Sequence, residues 1–405
     1  MSQNSACPHF PFPRQEPGRP ADELLDLLRP GPLARVTLPS GDPAWLAVRY
    51  EDAVAVLTDP RFSRNLRYPG APRLLKGYDL SDEPNSLINM DAPEHTRLRR
   101  LLAGTFTPRQ TDGWRNAIRA VADDLLLTEV KAGEPIVDLT TFAVLYPVSV
   151  ICAILGVKEL DIAKVRSMSC ALLSTADVSE EERRQASLDF HNYAAELVAE
   201  QRRSPGGGLL TQMIQARDDG DRLSERELVR LTVSLILAGH ETTSSLLTRG
   251  LVRFLEPRSG YAALVEAPES IPGVVEELLR TETPGDALFM RVATEDVDLP
   301  SGRVRRGEAV LPVSSAANFD PEVFPDPRRV DPARSGHPHL GFGRGPHYCL
   351  GANLARVELQ EAFRALVARL PNLALAEPAS AVPWSQGHLF KRPERLLVHL
   401  GDAPA

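Results

Sequence analysis

Residues 339 to 351 read HLGFGRGPHYCLG, and the one sulfur in this run, Cys349, stands in a glycine-rich loop that opens onto the helix-spaced segment LGANLARVELQEAFRALVARL. A cysteine just ahead of a helix meets unpaired N–H groups and the positive end of the helix dipole. Both favour the thiolate, the form that attacks electrophiles and binds metals. Gly343, Gly345 and Gly351 can take positive φ and keep the loop flat, while Phe342 offers an aromatic face beside the sulfur. The ligand this loop suits is a planar metal macrocycle. Read alone, a single cysteine near a turn is equally compatible with an inert, buried thiol.

A second set of reactive residues, His240, Glu241, Thr242 and Thr243, interrupts the apolar run LTVSLILAG at 231–239. A capping box of Ser224 and Glu227 predicts a helix from there to Glu256, ahead of Pro257, about 45–50 Å long at 1.5 Å per residue. Its apolar middle predicts burial on all sides. Buried polar groups need partners. Ordinary helix accounting has Thr242 and Thr243 donating to carbonyls one turn earlier, Glu241 pairing with an arginine, and His240 satisfied without a chemical role. A titratable acid beside an alcohol is also the apparatus for handing protons to a reacting oxygen. Glu277 and Arg280 in EELLR sit three apart and can face each other on a helix, although such a pair alone is usually a solvated neighbour contact.

The positioning elements follow from the rest of the chain. PAWLAVRY at 43–50 alternates as a strand, EDAVAVLTD follows as a short amphipathic helix, and 62–88 reads as a long functional loop. Helical spacing dominates from about 93 to 255, with connections at 202–208 and 217–222; short β-like runs follow 290. The fold class is therefore mainly α with a smaller β-rich region. The 405 residues carry 43% hydrophobic and 25% charged side chains, ordinary for a soluble globular protein. A net charge of −8 without a sustained basic stripe argues against nucleic acid. Cys7, Cys152, Cys170 and Cys349 lack zinc or disulfide-framework spacing, which favours a reducing cytoplasm. The proline-rich residues 1–20 hold neither a signal-type apolar region nor a membrane anchor.

Phe342, the spaced glycines, His347, Cys349 and Gly351 together resemble the haem-binding loop of the cytochromes P-450, and AGHETT at 238–243 is similar to that family's distal-helix signature. The resemblance covers nearly the whole chain and implies one cytochrome P-450 domain over 1–405, with haem b between the long distal helix and the proximal cysteine loop. It implies Cys349 as the iron ligand, a thiolate that favours O–O cleavage. Ala238 and Gly239 would let the haem approach the helix, Thr242 would hydrogen-bond dioxygen, and Glu241 would relay protons. His95, Arg99, Arg291 and His347 stand where the family holds the haem propionates. Glu277, Arg280 and Arg329 stand for its buried structural ion pair, with Val330 where an aromatic is more usual.

The implied pocket includes the 62–88 loop, Leu235, Ala238, Leu288, Phe289 and Leu389, apolar walls for an apolar ligand. The implied reaction inserts one oxygen atom from O2 into an apolar natural product of polyketide or macrolide type. Epoxidation or oxidative coupling is the alternative chemistry. A haem sensor or carrier is the rival class, against which Glu241 and Thr242 count. Electrons are expected from NAD(P)H through a ferredoxin reductase and a ferredoxin. That ferredoxin would dock on a face carrying Arg100, Arg109, Arg344 and Arg356, the protein acting as a cytoplasmic monomer.

Overall fold

The helical spacing between residues 93 and 255 becomes a layered set of helices around one long rod, Glu225–Leu255. The computed structural model describes residues 7–13, 19–84, 86–129, 135–158, 160–176, 178–218, 223–334 and 338–401. Part of the 1–20 lead and residues 219–222 of the expected connection lie outside them. The rod starts as its sequence dictates: the Ser224 hydroxyl accepts from the Glu227 N–H at 3.2 Å, and the Glu227 carboxylate accepts from the Ser224 N–H at 2.7 Å. Two donors at the helix start, the N–H groups of Ser224 and Glu227, are thus satisfied by reciprocal side-chain bonds.

The rod is not buried all round. Val233, Ile236 and His240 are buried, whereas Leu235 is half-buried and Ala238 exposed. Positions 235, 238 and 242 share one face by helical spacing, and that face is only partly covered by protein. Helix Thr140–Leu155 packs along the edge of that face. Gly239 belongs to that packing, because a Cβ there would meet Ile151 Cδ1 at 3.3 Å. Gly239 thus serves close packing of two helices in addition to the role expected of it beside a haem.

Helix Ala352–Arg369, which follows the cysteine loop, also packs on the rod. Phe363 Cζ lies 3.1 Å from where a Cβ on Gly250 would stand, and the Thr243 side chain bonds the Glu358 carboxyl. Burial pushes that carboxyl well above the usual range, with the Thr243 bond opposing. Thr242 and the cysteine loop consequently flank the same gap.

The β-rich region forms a five-stranded sheet in the order Ala34–Thr37, Pro43–Ala47, Ala309–Pro312, Arg291–Ala293, Phe62–Ser63. Trp45 pairs with Val310 in its one parallel ladder, and Arg291 pairs antiparallel with the same Val310. The sheet thereby sets Arg291 at a fixed place beside the loop that follows Ser63. Phe10 and Phe12 of the proline-rich lead are buried against this region, and the Phe10 N–H donates to Thr37 O at 3.0 Å. Among the described residues no helix is long and apolar enough to cross a membrane.

The stretch from 318 to 334 is pinned by one ion pair. Arg280 is 1% exposed, and its five donors are all used: two on Glu277 at 2.8 Å each, and three on the carbonyls of Asn318, Pro327 and Arg329. Its guanidinium also lies 5.3 Å from the Phe324 ring centre. Glu277 accepts further bonds from Arg334 Nε at 3.1 Å and the Asp331 N–H at 3.0 Å. The third cation is thus Arg334 and not Arg329. The Arg329 side chain is exposed, and only its carbonyl enters the cluster. Asn318 carries the restraint forward, since its Oδ1 accepts from the Leu340 N–H at 2.6 Å, two residues before Phe342.

Candidate active site

Cys349 ends a tight loop built from backbone bonds, with its N–H on Phe342 O at 2.9 Å and its carbonyl accepting from Ala352 at 3.4 Å. Gly343 and Gly345 take φ of 69° and 72°, the left-handed region that glycine occupies at no steric cost. At Gly345 a Cβ would also stand 2.5 Å from Leu57 O, so the loop can lie on helix Tyr50–Thr58 only without one. Gly351 differs: its φ is −84°, it caps helix Ala352–Arg369, and nothing stands within 4 Å of its would-be Cβ. The space beside the sulfur is what this glycine preserves. Phe342 is buried under Arg356, whose guanidinium carbon is 4.7 Å from the ring centre.

The Cys349 side chain is solvent-accessible, yet burial pushes its thiol up, against the pull of the Gly351 N–H, Arg99 and Arg356. A thiol that is reachable and still crowded by protein lies on the wall of a cavity. Ala238 in mid-rod is exposed as well. The helix dipole alone therefore does not make the thiolate here; a bound metal ion would.

Around this gap the expected bases converge. His95 and His347 lie with ring centres 4.2 Å apart and planes tilted by 40°, and Arg99 donates to Tyr348 O at 2.6 Å. Arg291 is buried and feels the charge of Arg64, while His347 is held down to about 2 by burial and then by Arg291, His95, Arg64 and Arg99. Burial and Arg99 lower His95 as well, with Asp91 opposing. Its Nε2 is buried without a hydrogen-bond partner among the described residues. The arginines Arg64, Arg99 and Arg291 bring positive charge here, the two imidazoles stay neutral beside them, and such a seat suits an anion. Two haem propionates meet that need, and the accessible sulfur and the space at Gly351 suit the macrocycle: the residues fit the group.

Arg64 was not visible as a site residue. It is 2% exposed and donates to the carbonyls of Ile88 and Met290 and to Asn89 Oδ1, and burial draws it down to about 10 against Asp79 and Asp91. Its only signal was position, at the start of the 62–88 loop read as functional.

On the rod, the ordinary helix accounting holds alongside the chemical one. The Thr242 hydroxyl donates to Ala238 O at 2.9 Å, which leaves its lone pairs free to accept on the open face. Glu241, 2% exposed, has Oε1 3.3 Å from His240 Nε2 and Oε2 3.6 Å from Arg392 Nε. Burial raises its carboxyl, but His240, Arg392 and His388 outweigh that and bring it down to about 2. His240 Nδ1 bonds Ile236 O at 2.7 Å, as a helix-satisfied histidine does.

Of the expected pocket residues, Leu235 and Ala238 line the open face. Phe289 is 39% exposed and lies under the Arg64 guanidinium at 5.3 Å. The Leu389 N–H donates to Leu173 O at 2.9 Å, placing the C-terminal turn on helix Ile162–Leu173. Leu288 packs instead with Ala53, Leu57, Ala317 and Leu340, 3.6 Å from the would-be Cβ of Gly343, under the cysteine loop.

Comparison with known proteins gives the same answer as the loop. The cytochrome P450 family model matches residues 270–374. The nocardicin C N-oxygenase of Nocardia uniformis subsp. tsuyamanensis is 42% identical over 368 residues, 91% of this chain and 92% of that protein. The mycinamicin IV hydroxylase/epoxidase of Micromonospora griseorubida is 40% identical over 376 residues, 91% and 92% of the two chains. Among solved structures, HinD with NMFT and NO superposes with a TM-score of 0.91 at 40% identity, covering 97% of this chain and 99% of that one. The mixed-function P450 MycG gives 0.85 at 39%, covering 96% and 99%. A thiol loop, an acid–alcohol rod and an anion-seeking basic cluster thus belong to a known arrangement, and this chain is a member of the cytochrome P450 family, monooxygenases that use haem, O2 and reducing electrons.

Proposed function

We propose that this monooxygenase holds haem b through Cys349 and oxidises a large apolar natural product of polyketide or macrolide type. The observation that carries the substrate class is the open rod face of Leu235, Ala238 and Thr242, an apolar wall with one alcohol in it. Relatives named for oxidising nocardicin C and mycinamicin IV support it. The bound haem would supply oxygen activation. Around it, Arg99 and Arg291 would neutralise the propionates, His95 and His347 would hydrogen-bond them as neutral imidazoles, and the apolar rod face would orient substrate. Hydroxylation is the expected outcome; the mycinamicin relative, named both hydroxylase and epoxidase, makes epoxidation the second reading. Titrating a natural-product library against the holoenzyme tests the class, because a fitting ligand displaces water from the iron and shifts the spectrum. A library in which only small polar compounds cause that shift overturns it.

In this reading Thr242 accepts a hydrogen bond and Glu241, held ionised by His240, Arg392 and His388, relays protons taken from solvent. With its hydroxyl proton on Ala238 O, Thr242 holds a proton-bearing partner by its lone pairs. Thr242→Ala should lower product formed per NAD(P)H consumed about tenfold, with peroxide making up the difference, and Thr242→Ser should recover most of it. Unchanged coupling in the alanine variant would reduce Thr242 to helix packing.

The chain is taken as one domain over 1–405, a cytoplasmic monomer fed by a ferredoxin and its NAD(P)H-dependent reductase. Arg100, Arg109 and Arg344 are exposed on the segments around the cysteine loop. Arg356 is corrected out of this docking set, because its Nε and Nη2 are held by Glu276 at 2.6 and 3.1 Å. Reversing Arg100 and Arg344 to glutamate should slow ferredoxin-supported iron reduction about tenfold at low salt, an effect that fades as salt shortens the roughly 10 Å Debye length. Equal rates in both proteins at low salt would remove this face from consideration.

A further inference from the structure

The loop between Ser63 and Asp91 is tied at two buried points, and one side chain joins them. At the far point the Glu83 carboxylate, 3% exposed, accepts from Tyr78 OH at 2.5 Å and from Ser187 of helix Glu180–Arg203, and pairs with Arg230 of the rod. Arg230 also contacts His191 Nδ1 at 3.0 Å, and the Tyr78 hydroxyl is 3.2 Å from Ser187 Oγ. At the near point Arg64 is held by Ile88 O at 2.9 Å, by Met290 O, and through its own N–H by Asp91 at 3.0 Å. Asn89, 1% exposed, spans the two: its Oδ1 accepts from Arg64 Nη2 at 2.9 Å, and its Nδ2 donates to Leu80 O at 2.6 Å and to Glu83 O at 3.3 Å.

We propose that Asn89 is a positioning residue that joins the Glu83–Arg230 latch over the substrate pocket to Arg64 in the basic cluster, so that pocket closure and the anion seat are set by one network. The inference rests on the proposed haem-binding reading, because that reading gives the basic cluster its ligand. The physical basis is the amide itself. Its carbonyl and its NH2 diverge within one plane, one accepting and one donating, so a single rigid group fixes Arg64 relative to the 80–83 turn. No aliphatic residue of that size can do both. The latch is costly to open halfway, since removing either Glu83 or Arg230 leaves a buried charge without its partner. The loop is therefore held closed as a unit, and opening requires the donors on Glu180–Arg203 and on the rod to let go together.

The network predicts coupled behaviour at two separated places. In Asn89→Ala and in Glu83→Gln, hydrogen exchange of backbone amides at 78–84 in the holoenzyme should quicken at least about tenfold, while exchange in Ala352–Arg369 stays unchanged. Entry of 4-phenylimidazole to the iron should quicken by a similar factor, since the closed loop is its barrier. The reduced carbon monoxide spectrum, which reports Cys349, should not move. The double variant should fall well short of the product of the two single effects, because both break one network. A purely local packing role predicts faster exchange at 86–91 only, with azole entry as in the unaltered protein, and that result overturns the proposal, as does a fully multiplicative double variant. Loss of the carbon monoxide signature in the unaltered protein would instead strike the haem reading, while the exchange at 78–84 still judges the network.

Discussion

Cys349→His should abolish the long-wavelength absorption that the reduced carbon monoxide complex of a thiolate-ligated haem displays, and with it all product formation. The expectation rests on geometry around the sulfur. Burial pushes the Cys349 thiol up, against the Gly351 N–H and the charges of Arg99 and Arg356, so the free side chain does not ionise on its own. A bound iron would make it a thiolate, and the backbone bond from Gly351 would then temper the sulfur's negative charge. Histidine is larger and neutral as a ligand, and the Phe342–Cys349 backbone bond at 2.9 Å leaves the loop little room to rearrange. The readout is a carbon monoxide difference spectrum at matched haem content. A variant that keeps the thiolate band, or an unaltered protein that displays only a histidine-type band, would sink the assignment of Cys349.

Sequence pattern disclosed the parts of this site that are local. The cysteine loop is thirteen consecutive residues whose glycines fix its backbone, and two of the three take the positive φ that their spacing implied. The rod was legible from its capping box and terminal proline, and its ends fall within a residue of the expected ones. What pattern missed depends on contacts between distant segments. Gly239 is read naturally as room for a cofactor; only the placement of Ile151 reveals that it also packs against a helix. Arg329 and Arg334 lie five residues apart in an irregular stretch, where no period tells which side chain turns inward. The half-open face of the rod was hidden because apolar residues against a cavity and against a core look alike in sequence. Arg64 and Asn89 lay in a loop recognised as functional, but their meeting depends on the turn between them.

Glu277→Ala should be among the most damaging single substitutions outside the cysteine loop, at about 3–5 kcal/mol of stability. The carboxylate is fully buried and answers four donors: Arg280 twice, Arg334 and the Asp331 N–H. Its removal leaves Arg280 charged and 1% exposed with only carbonyls for company, and Arg334 loses the same partner. Burial alone would raise the Glu277 carboxyl, yet Arg280, the Asp331 N–H and Arg334 more than offset it and hold it below its usual value. Its stabilising contribution is thus fully present above the unfolded value of about 4.3 and is lost as pH falls through the lower folded value. The damage should travel, because Arg280 holds Asn318 and Asn318 holds the Leu340 N–H at the mouth of the cysteine loop. Glu277→Ala should therefore lose haem at urea concentrations where the unaltered protein keeps it, and Arg329→Ala should not. Glu277→Gln, which keeps the shape and some of the bonds, should fall between them. Urea unfolding followed in parallel by haem absorbance and far-ultraviolet dichroism makes the measurement; an alanine variant within about 1 kcal/mol of the unaltered protein would mean that the stretch from 318 to 334 is held by its apolar contacts instead.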